Sequence, residues 1–212
     1  MTMIIVSILS NIPMLQCQEN GQYATCGNSF QCGNIRNIGY PFSGQNRPSF
    51  CGHPGFQLNC QGSALLITIQ SMDYRVLAID NRTQTLTVAR HDMWNNICPI
   101  FFYNTTIDFP IFNNASNQQN VTLHYGCIGL NPVSPLPNQF YCSVIGGYGP
   151  NYLMIGLSPV KFGLINATPI PLPIPQPLLA TALIDLIHSN LFIMELEMVC
   201  APHLLGLVYV KQ

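Results

Sequence analysis

Four cysteines lie close together near the start of the chain, at Cys26, Cys32, Cys51 and Cys60. They are separated by 5, 18 and 8 residues, and the intervals are rich in Gly, Pro, Asn and aromatic residues. No pair has the two-residue gap that is typical of zinc sites and dithiol redox centres. Because a segment so rich in turn formers cannot build a packed core alone, the pattern predicts disulfide cross-links and an oxidising, extracellular setting.

The cysteine count extends this prediction beyond the cysteine-rich segment, which we define as residues 26–60. Eight of the nine cysteines lie in the first two thirds of the chain, and we expect them to form four disulfides: Cys17, Cys26, Cys32, Cys51, Cys60, Cys98, Cys127 and Cys142. Eight cysteines allow on the order of 100 pairings, so the connectivity stays open. Cys200 is left without a partner.

Arginines and aromatic residues in the same segment point to recognition chemistry. All five arginines of the chain fall within its first 90 residues, and no lysine precedes Lys161. Arginine forks suit carboxylates and aromatic rings offer flat apolar contact surfaces, so we predict four ligand-binding residues: Arg36, Tyr40, Phe42 and Arg47. The alternative is core or turn packing for the two rings and a structural or solvated role for the two arginines. The net charge of −1 argues against a nucleic-acid partner.

The sequence offers no enzymatic machinery, so we expect a non-catalytic protein without cofactor or metal. The only glycine cluster, at 146–149, lies beside a proline and suits a loop, and the HRD, DFG and G-x-S-x-G motifs are absent. A glycosidase needs two carboxylates held together. The adjacent His91 and Asp92 are more typical of a turn than of an acid–base pair. The histidines His53, His91 and His124 lack metal-ligand spacing.

Five glycosylation sequons accompany a composition that is 48% hydrophobic and only 7% charged. So few charges leave a soluble protein prone to association, and glycans would supply the missing solubility. We therefore predict glycosylation at Asn81, Asn104, Asn114, Asn120 and Asn166.

The elements that must position these residues are predominantly strands. Alternating β-branched runs predict strands at 64–70, 74–80, 83–90, 98–103 and 121–126, with a hairpin turn at Asp80–Arg82. The sequence therefore predicts a mainly all-β, disulfide-rich module over residues 17–145. We expect a Gly/Pro-rich linker or remnant at 146–177, whose alternating prolines enforce extended backbone, and a short helix followed by a divergent tail at 178–212.

The N-terminus carries a short apolar run, MIIVSIL (3–9), without a preceding basic residue or a clear cleavage site. It predicts a weak or truncated signal peptide within residues 1–16. No uninterrupted stretch of about 18 apolar residues follows, so we expect no transmembrane span in this chain.

Several ordered motifs carry a family resemblance: CGNIRNIGYPF (32–42), NRP (46–48), CGHPGF (51–56), YRVLAID (74–80) and TLTVAR (85–90). Together they resemble the galacturonan-binding domain of plant wall-associated receptor kinases, as found in ectodomains of the leaf-rust-resistance type. The resemblance covers about residues 17–142. It implies an extracellular cell-wall protein that contacts pectin, a polymer of galacturonate. Relatives usually continue into a second cysteine-rich module, a membrane span and a kinase.

Three functions remain open at this point. The first is a pectin-binding module, an ectodomain-type fragment without the kinase. The second is an ectodomain that binds a peptide or a membrane receptor and no polysaccharide. The third is a non-functional truncated product of a receptor kinase locus.

Overall fold

The computed structural model describes residues 21–105, 107, 110–116, 118–129, 139–142, 150–155, 164–165, 167–176 and 193–198. Within these ranges the chain begins with one short helix, α1 (Gly21–Cys26), and its further regular elements are mainly strands joined by turns and irregular segments. The expected mainly all-β, disulfide-rich fold is confirmed. The predicted signal peptide, the helix from residue 178 and the tail after 198 lie outside the described residues.

The larger sheet has six strands in the order β3-β4-β5-β6-β14-β7. The first four form a meander of β3 (Leu58–Gln61), β4 (Ala64–Ile69), β5 (Met72–Asp80) and β6 (Thr85–Arg90). The sheet is completed by β7 (Phe112–Asn114) and β14 (Ile193–Met198), which lies antiparallel between β6 and β7.

The second sheet has four strands in the order β10-β11-β8-β13. Its members are β8 (Gln118–Tyr125), β10 (Gln139–Phe140), β11 (Asn151–Ile155) and β13 (Thr168–Pro175). Two short antiparallel pairs complete the fold: β1 (Phe30–Cys32) with β2 (Ile35–Ile38), and β9 (Ile128–Gly129) with β12 (Leu164–Ile165). Short 3₁₀ turns occupy Ser49–Cys51 and His91–Met93.

Among the described residues, the two larger of three hydrophobic clusters hold these sheets. The first packs the inner face of the six-stranded sheet against the cysteine-rich segment, through Phe30, Ile38, Phe42 and Phe56. The second packs the four-stranded sheet against Met93 and Ile97. The cysteine-rich segment therefore covers one face of the large sheet, as the sparse apolar residues between its turn formers require.

The stretch at 146–177, expected to be a linker or remnant, contributes β11, β12 and β13 to the fold. In β13 four prolines alternate with Ile170, Leu172 and Ile174, whose side chains are buried in the second core. Alternation places all four missing N–H groups on one side of the strand, which an edge strand can turn away from its sheet. The extended backbone that the prolines predict is therefore confirmed, as a strand paired with β8.

The strand predicted at 98–103 is wrong, because those residues are irregular in the structure. The neighbouring Ile100 and Phe101 are 72% and 63% exposed, whereas Phe102 packs against the second core, so burial does not alternate along this run as it does along a half-buried strand. The other predicted strands of the module are present, and the hairpin between β5 and β6 turns at Asp80–Arg82 as expected. There the Asp80 Oδ1 atom accepts hydrogen bonds from the backbone N–H groups of Arg82 and Thr83.

Three disulfides join described cysteines: Cys26–Cys51, Cys32–Cys60 and Cys98–Cys142. The first two interleave along the sequence and fasten the cysteine-rich segment, and the third fastens the loop after Ile97 to the chain beyond β10. Cys127 is a buried free thiol whose Sγ donates to the carbonyl oxygen of His124. The expected disulfide at Cys127 is therefore wrong, and Cys17, which was also expected to form a disulfide, lies outside the described residues.

Candidate functional site

The cysteine-rich segment forms a compact cap whose loops meet in a small polar depression. Its volume is about 230 Å³, smaller than the roughly 300–1,000 Å³ of sites for drug-sized ligands, so it suits one part of a longer chain. Its lining is mostly amide and hydroxyl side chains: Ser29, Phe30, Gln31, Asn37, Gln45 and Asn46. We call this depression the amide pocket.

The walls of the amide pocket come from two turns. One wall follows β1 and β2, where Asn37 has a left-handed φ of 56°. The other is a tight turn closed by reciprocal backbone hydrogen bonds between Gly44 and Arg47, which presents Gln45 and Asn46 to solvent. Gly44 is required at this turn, because a Cβ atom there would lie 2.4 Å from the Leu58 carbonyl oxygen.

Arg47 holds these walls together from inside. It is 5% exposed, and its Nε atom donates to the carbonyl oxygen of Phe42 at 2.9 Å. Its Nη1 and Nη2 atoms donate to the carbonyl oxygens of Asn28 at 2.9 Å and Cys51 at 2.8 Å, and Nη1 also donates to that of Cys26. One guanidinium therefore satisfies four backbone acceptors from distant parts of the segment.

The structure separates the four predicted ligand-binding residues into two pairs. Arg47 and Phe42 are interior, and the Phe42 ring packs edge-on against Phe56 at a centroid distance of 5.7 Å. Their prediction as ligand contacts is wrong, because the Arg47 donors are committed to backbone carbonyls and the Phe42 ring is 1% exposed. Arg36 and Tyr40 are exposed, Tyr40 at 44%, so both are open to a ligand.

Arg36 is the exposed cation nearest in sequence to the amide pocket, because it precedes the lining residue Asn37 on β2. Amide groups donate and accept hydrogen bonds, and arginine pairs with carboxylates. The sequence did not lead us to predict the pocket residues, although Asn and Gln are frequent between residues 28 and 46. No sequence pattern predicts that Asn37 and Gln45 adopt positive φ angles.

The His91–Asp92 pair is tied into a structural ion pair. The buried Arg90 guanidinium contacts both carboxylate oxygens of Asp92, at 3.0 Å from Nε and 2.6 Å from Nη2. The arginine also donates from Nη1 to the Tyr103 carbonyl oxygen and the Thr105 hydroxyl. The nearby hydroxyl of Tyr74 is buried, and burial raises its pKa to about 12.

Comparison with known proteins identifies the segment that holds this site. Residues 26–90 match the family described as "Wall-associated receptor kinase galacturonan-binding". The chain is 42% identical over 135 residues to leaf rust 10 disease-resistance locus receptor-like protein kinase-like 2.4 of Arabidopsis thaliana, covering 62% of this chain and 21% of that protein. Relative 1.4 of the same series is 34% identical over 147 residues, covering 69% of this chain and 20% of the relative.

The resemblance inferred from the motifs is thereby confirmed. The chain spans about a fifth of the length of the curated relatives it matches. No solved structure matches the chain. Among the described residues, no helix is long and apolar enough to cross a membrane.

Proposed function

We propose, on the premise that residues 26–90 are a wall-associated receptor kinase galacturonan-binding module, that this chain binds acidic pectic polysaccharide outside the cell and catalyses no reaction. The observation that carries the proposal is the amide pocket inside the matched segment, whose lining residue Asn37 directly follows the exposed Arg36 on β2. The matched part of the chain corresponds to about a fifth of its receptor-like kinase relatives, and we propose that it acts as an ectodomain-type binding module.

The chemistry of the pocket suits a polyuronate. Sugar hydroxyls both donate and accept hydrogen bonds, as the side chains of Gln31, Asn37, Gln45 and Asn46 do. The uronate carboxylate pairs with the Arg36 guanidinium, and the exposed Tyr40 ring offers a stacking surface. Exposed ion pairs contribute only about 0.2–1 kcal/mol each, so useful affinity requires several contacts along one polymer.

Secretion and glycosylation belong to the same proposal. The three disulfides suit an oxidising compartment, and four of the predicted acceptors are exposed: Asn81, Asn104, Asn114 and Asn120. The fifth, Asn166, lies outside the described residues. Mass spectrometry after enzymatic glycan removal would show Asn-to-Asp conversion at these sites in protein secreted from plant cells. Four unmodified asparagines would argue against passage through the secretory pathway.

A binding assay with two forms of one polymer tests the function. The secreted chain should bind immobilised unesterified polygalacturonate and lose this binding in about 1 M salt, where the screening length is about 3 Å. Fully methyl-esterified polymer, which has the same backbone without charge, should bind weakly. Equal binding to both forms, or to neither, would refute recognition of the acidic polymer.

Variants of exposed residues refine this assay. Arg36→Gln and Tyr40→Ala should each weaken binding about two- to fivefold, which corresponds to about 0.4–1 kcal/mol. Phe50→Ala is a matched control for Tyr40, because Phe50 is an exposed aromatic residue of the same segment, at 59% exposure, and is not one of the predicted ligand-binding residues. If Phe50→Ala weakens binding as much as Tyr40→Ala, the ligand is not recognised at the predicted residues.

The second candidate function is recognition of a peptide or membrane receptor, and a different surface favours it. Four large side chains around the Cys98–Cys142 disulfide are exposed: Ile100, Phe101, Tyr103 and Tyr141. The rings of Phe101 and Tyr103 contact each other at a centroid distance of 5.9 Å. Exposed apolar clusters mark protein interfaces. Failure of polygalacturonate binding together with loss of partner binding in Phe101→Ser would favour this function.

A further inference from the structure

The five arginines of the chain have different surroundings. Arg47 and Arg90 are buried, and their donors are committed to backbone or carboxylate oxygens. Arg36 and Arg82 are exposed on β2 and on the β5–β6 turn. Arg75, in the middle of β5, is half-buried and stacks on an aromatic ring. Among the described residues it makes no hydrogen bond or ion pair, so its donors are available to a ligand.

The ring beneath Arg75 fixes the position of the guanidinium. The Cζ atom of the Arg75 guanidinium lies 4.2 Å from the ring centroid of Trp94, the single tryptophan of the chain. Trp94 follows the 3₁₀ turn at His91–Met93 and is half-buried. Stacking on an aromatic face holds an arginine while leaving its N–H edges free, so a ligand need not immobilise a flexible side chain.

The strand register places Arg75 in a partly apolar setting. It lies directly opposite Leu66 on β4 and Ala89 on β6, and all three side chains point to the same face of the sheet. Leu66 and Ala89 are buried, at 3% and 2% exposure. An ion pair formed beside such residues is less screened by water than one on an open surface.

Polar groups continue the same face away from Arg75. Asn59 on β3 lies opposite Leu66 on β4 and is exposed. Asp73, two residues before Arg75, is exposed and accepts a hydrogen bond from the Thr68 hydroxyl at 2.6 Å. The face therefore combines one uncommitted cation and one ring with amide, hydroxyl and carboxylate groups, the set that pairs with sugar hydroxyls.

We propose that the Arg75–Trp94 pair is a binding subsite for the carboxylate of an acidic sugar, on the face of the six-stranded sheet that lies opposite the first core. This inference rests on the proposed recognition of polyuronate and adds a contact remote in sequence from the amide pocket. The guanidinium fork binds the carboxylate, and the exposed part of the Trp94 ring contacts the apolar side of the sugar. Asn59 and Asp73 take sugar hydroxyls.

The single tryptophan provides a direct readout at this subsite. The full chain is titrated with unesterified oligogalacturonate while Trp94 fluorescence and calorimetric binding are followed in parallel. We expect a saturable fluorescence change with the same dissociation constant as the calorimetric one, and no change with the methyl-esterified oligomer. Arg75→Gln should weaken binding about tenfold, as loss of a charge-assisted hydrogen bond does, and should remove the fluorescence response.

Arg82→Gln is the matched control, because it removes the same charge from an exposed turn of the same hairpin. It should weaken binding by less than about twofold. Arg75→Lys keeps the charge without the planar fork and should fall between wild type and Arg75→Gln. Trp94→Phe should retain most calorimetric binding, whereas Trp94→Ala should not.

The outcomes separate this inference from the function on which it rests. Wild-type protein that binds the acidic oligomer by calorimetry without a fluorescence change, together with unaltered binding by Arg75→Gln, would overturn the subsite and leave polyuronate recognition intact. Equal losses in Arg75→Gln and Arg82→Gln would also overturn it, since net charge alone would then explain binding. Wild-type protein that binds no acidic oligomer would refute the proposed function itself.

Discussion

At the scale of single residues, Arg47 shows how a residue type suited to ligand binding can serve the fold. Its fork reaches four backbone carbonyls that belong to α1, the loop after it, the Phe42 turn and the 3₁₀ turn. Arginine offers five donors in a fixed plane, and this geometry fits several fixed acceptors as well as it fits a carboxylate. The sequence shows the donors, but not which acceptors surround them.

Replacing Arg47 with alanine should therefore act on stability. Four backbone acceptors, two of them in buried hydrogen bonds, would lose their donors, and we expect the free energy of unfolding to fall by about 3 kcal/mol or more. Urea unfolding followed by circular dichroism measures this change. Arg36→Ala is the matched control and should stay within about 0.5 kcal/mol of wild type, because Arg36 is exposed. A stable Arg47→Ala protein with weakened polysaccharide binding would restore the original prediction.

Cys127 gives a second residue-scale prediction. Burial raises the pKa of its thiol to about 11, and the thiolate is the reactive form of cysteine. Cys127 should therefore resist iodoacetamide in the native protein at neutral pH and react once the protein is denatured without a reducing agent. Peptide mapping by mass spectrometry distinguishes these states. Labelling of Cys127 in the native protein would mean that the surroundings of this thiol open to the reagent. If Cys127 were not labelled in protein denatured without reductant, it would already be in a disulfide.

At the scale of elements, local sequence patterns predicted those elements that form through contacts between neighbouring segments of the chain. The β4–β5–β6 meander follows from alternating β-branched residues and from the turn chemistry of Asp80–Arg82. The positions of β14 and β13 could not be predicted in this way. β14 enters the large sheet more than 100 residues after β6 in sequence, and its pairing depends on an open strand edge that only the folded sheet provides.

The amide pocket shows the same limit. The turns that form it were predictable from Gly, Pro and Asn, but their meeting depends on the pairing of Cys26 with Cys51 and on the buried Arg47. Exposed Arg36 and buried Arg47 have the same chemistry and lie eleven positions apart. Burial, which separates their roles, is a property of the assembled elements.

The Arg90–Asp92 ion pair links elements and carries a prediction at this scale. It fixes the end of β6 and, through Tyr103 and Thr105, the loop beyond the second core. Asp92→Ala would leave the fully buried Arg90 side chain without its counter-charge, so we expect a loss of about 3 kcal/mol of stability. Asp73→Ala is the control, since Asp73 is exposed and should cost less than about 1 kcal/mol. Similar unfolding midpoints for both variants would contradict a structural role for the pair.

At the scale of the whole molecule, strand β8 joins segments that are far apart in sequence. It pairs with β11 on one side and β13 on the other, and it carries His124. His124 lies opposite Tyr152 and Pro169 and is 5% exposed. Neither ring nitrogen finds a hydrogen-bond partner in the part of the chain that the structure describes. An inner strand of the four-stranded sheet therefore carries a buried imidazole, and burial favours its neutral form.

This arrangement predicts that acid destabilises the protein. Burial lowers the pKa of His124 in the folded state, whereas the unfolded chain keeps the ordinary value of about 6.5. Below that value the unfolded state binds more protons than the folded state, so the free energy of unfolding falls as pH decreases toward the lowered folded-state pKa, and rises again with pH. Urea unfolding at a series of pH values between about 7 and 5 measures the slope. His124→Phe should flatten it, because a ring of similar shape remains without a titrating group. An equal slope in wild type and His124→Phe would mean that other groups control the acid sensitivity.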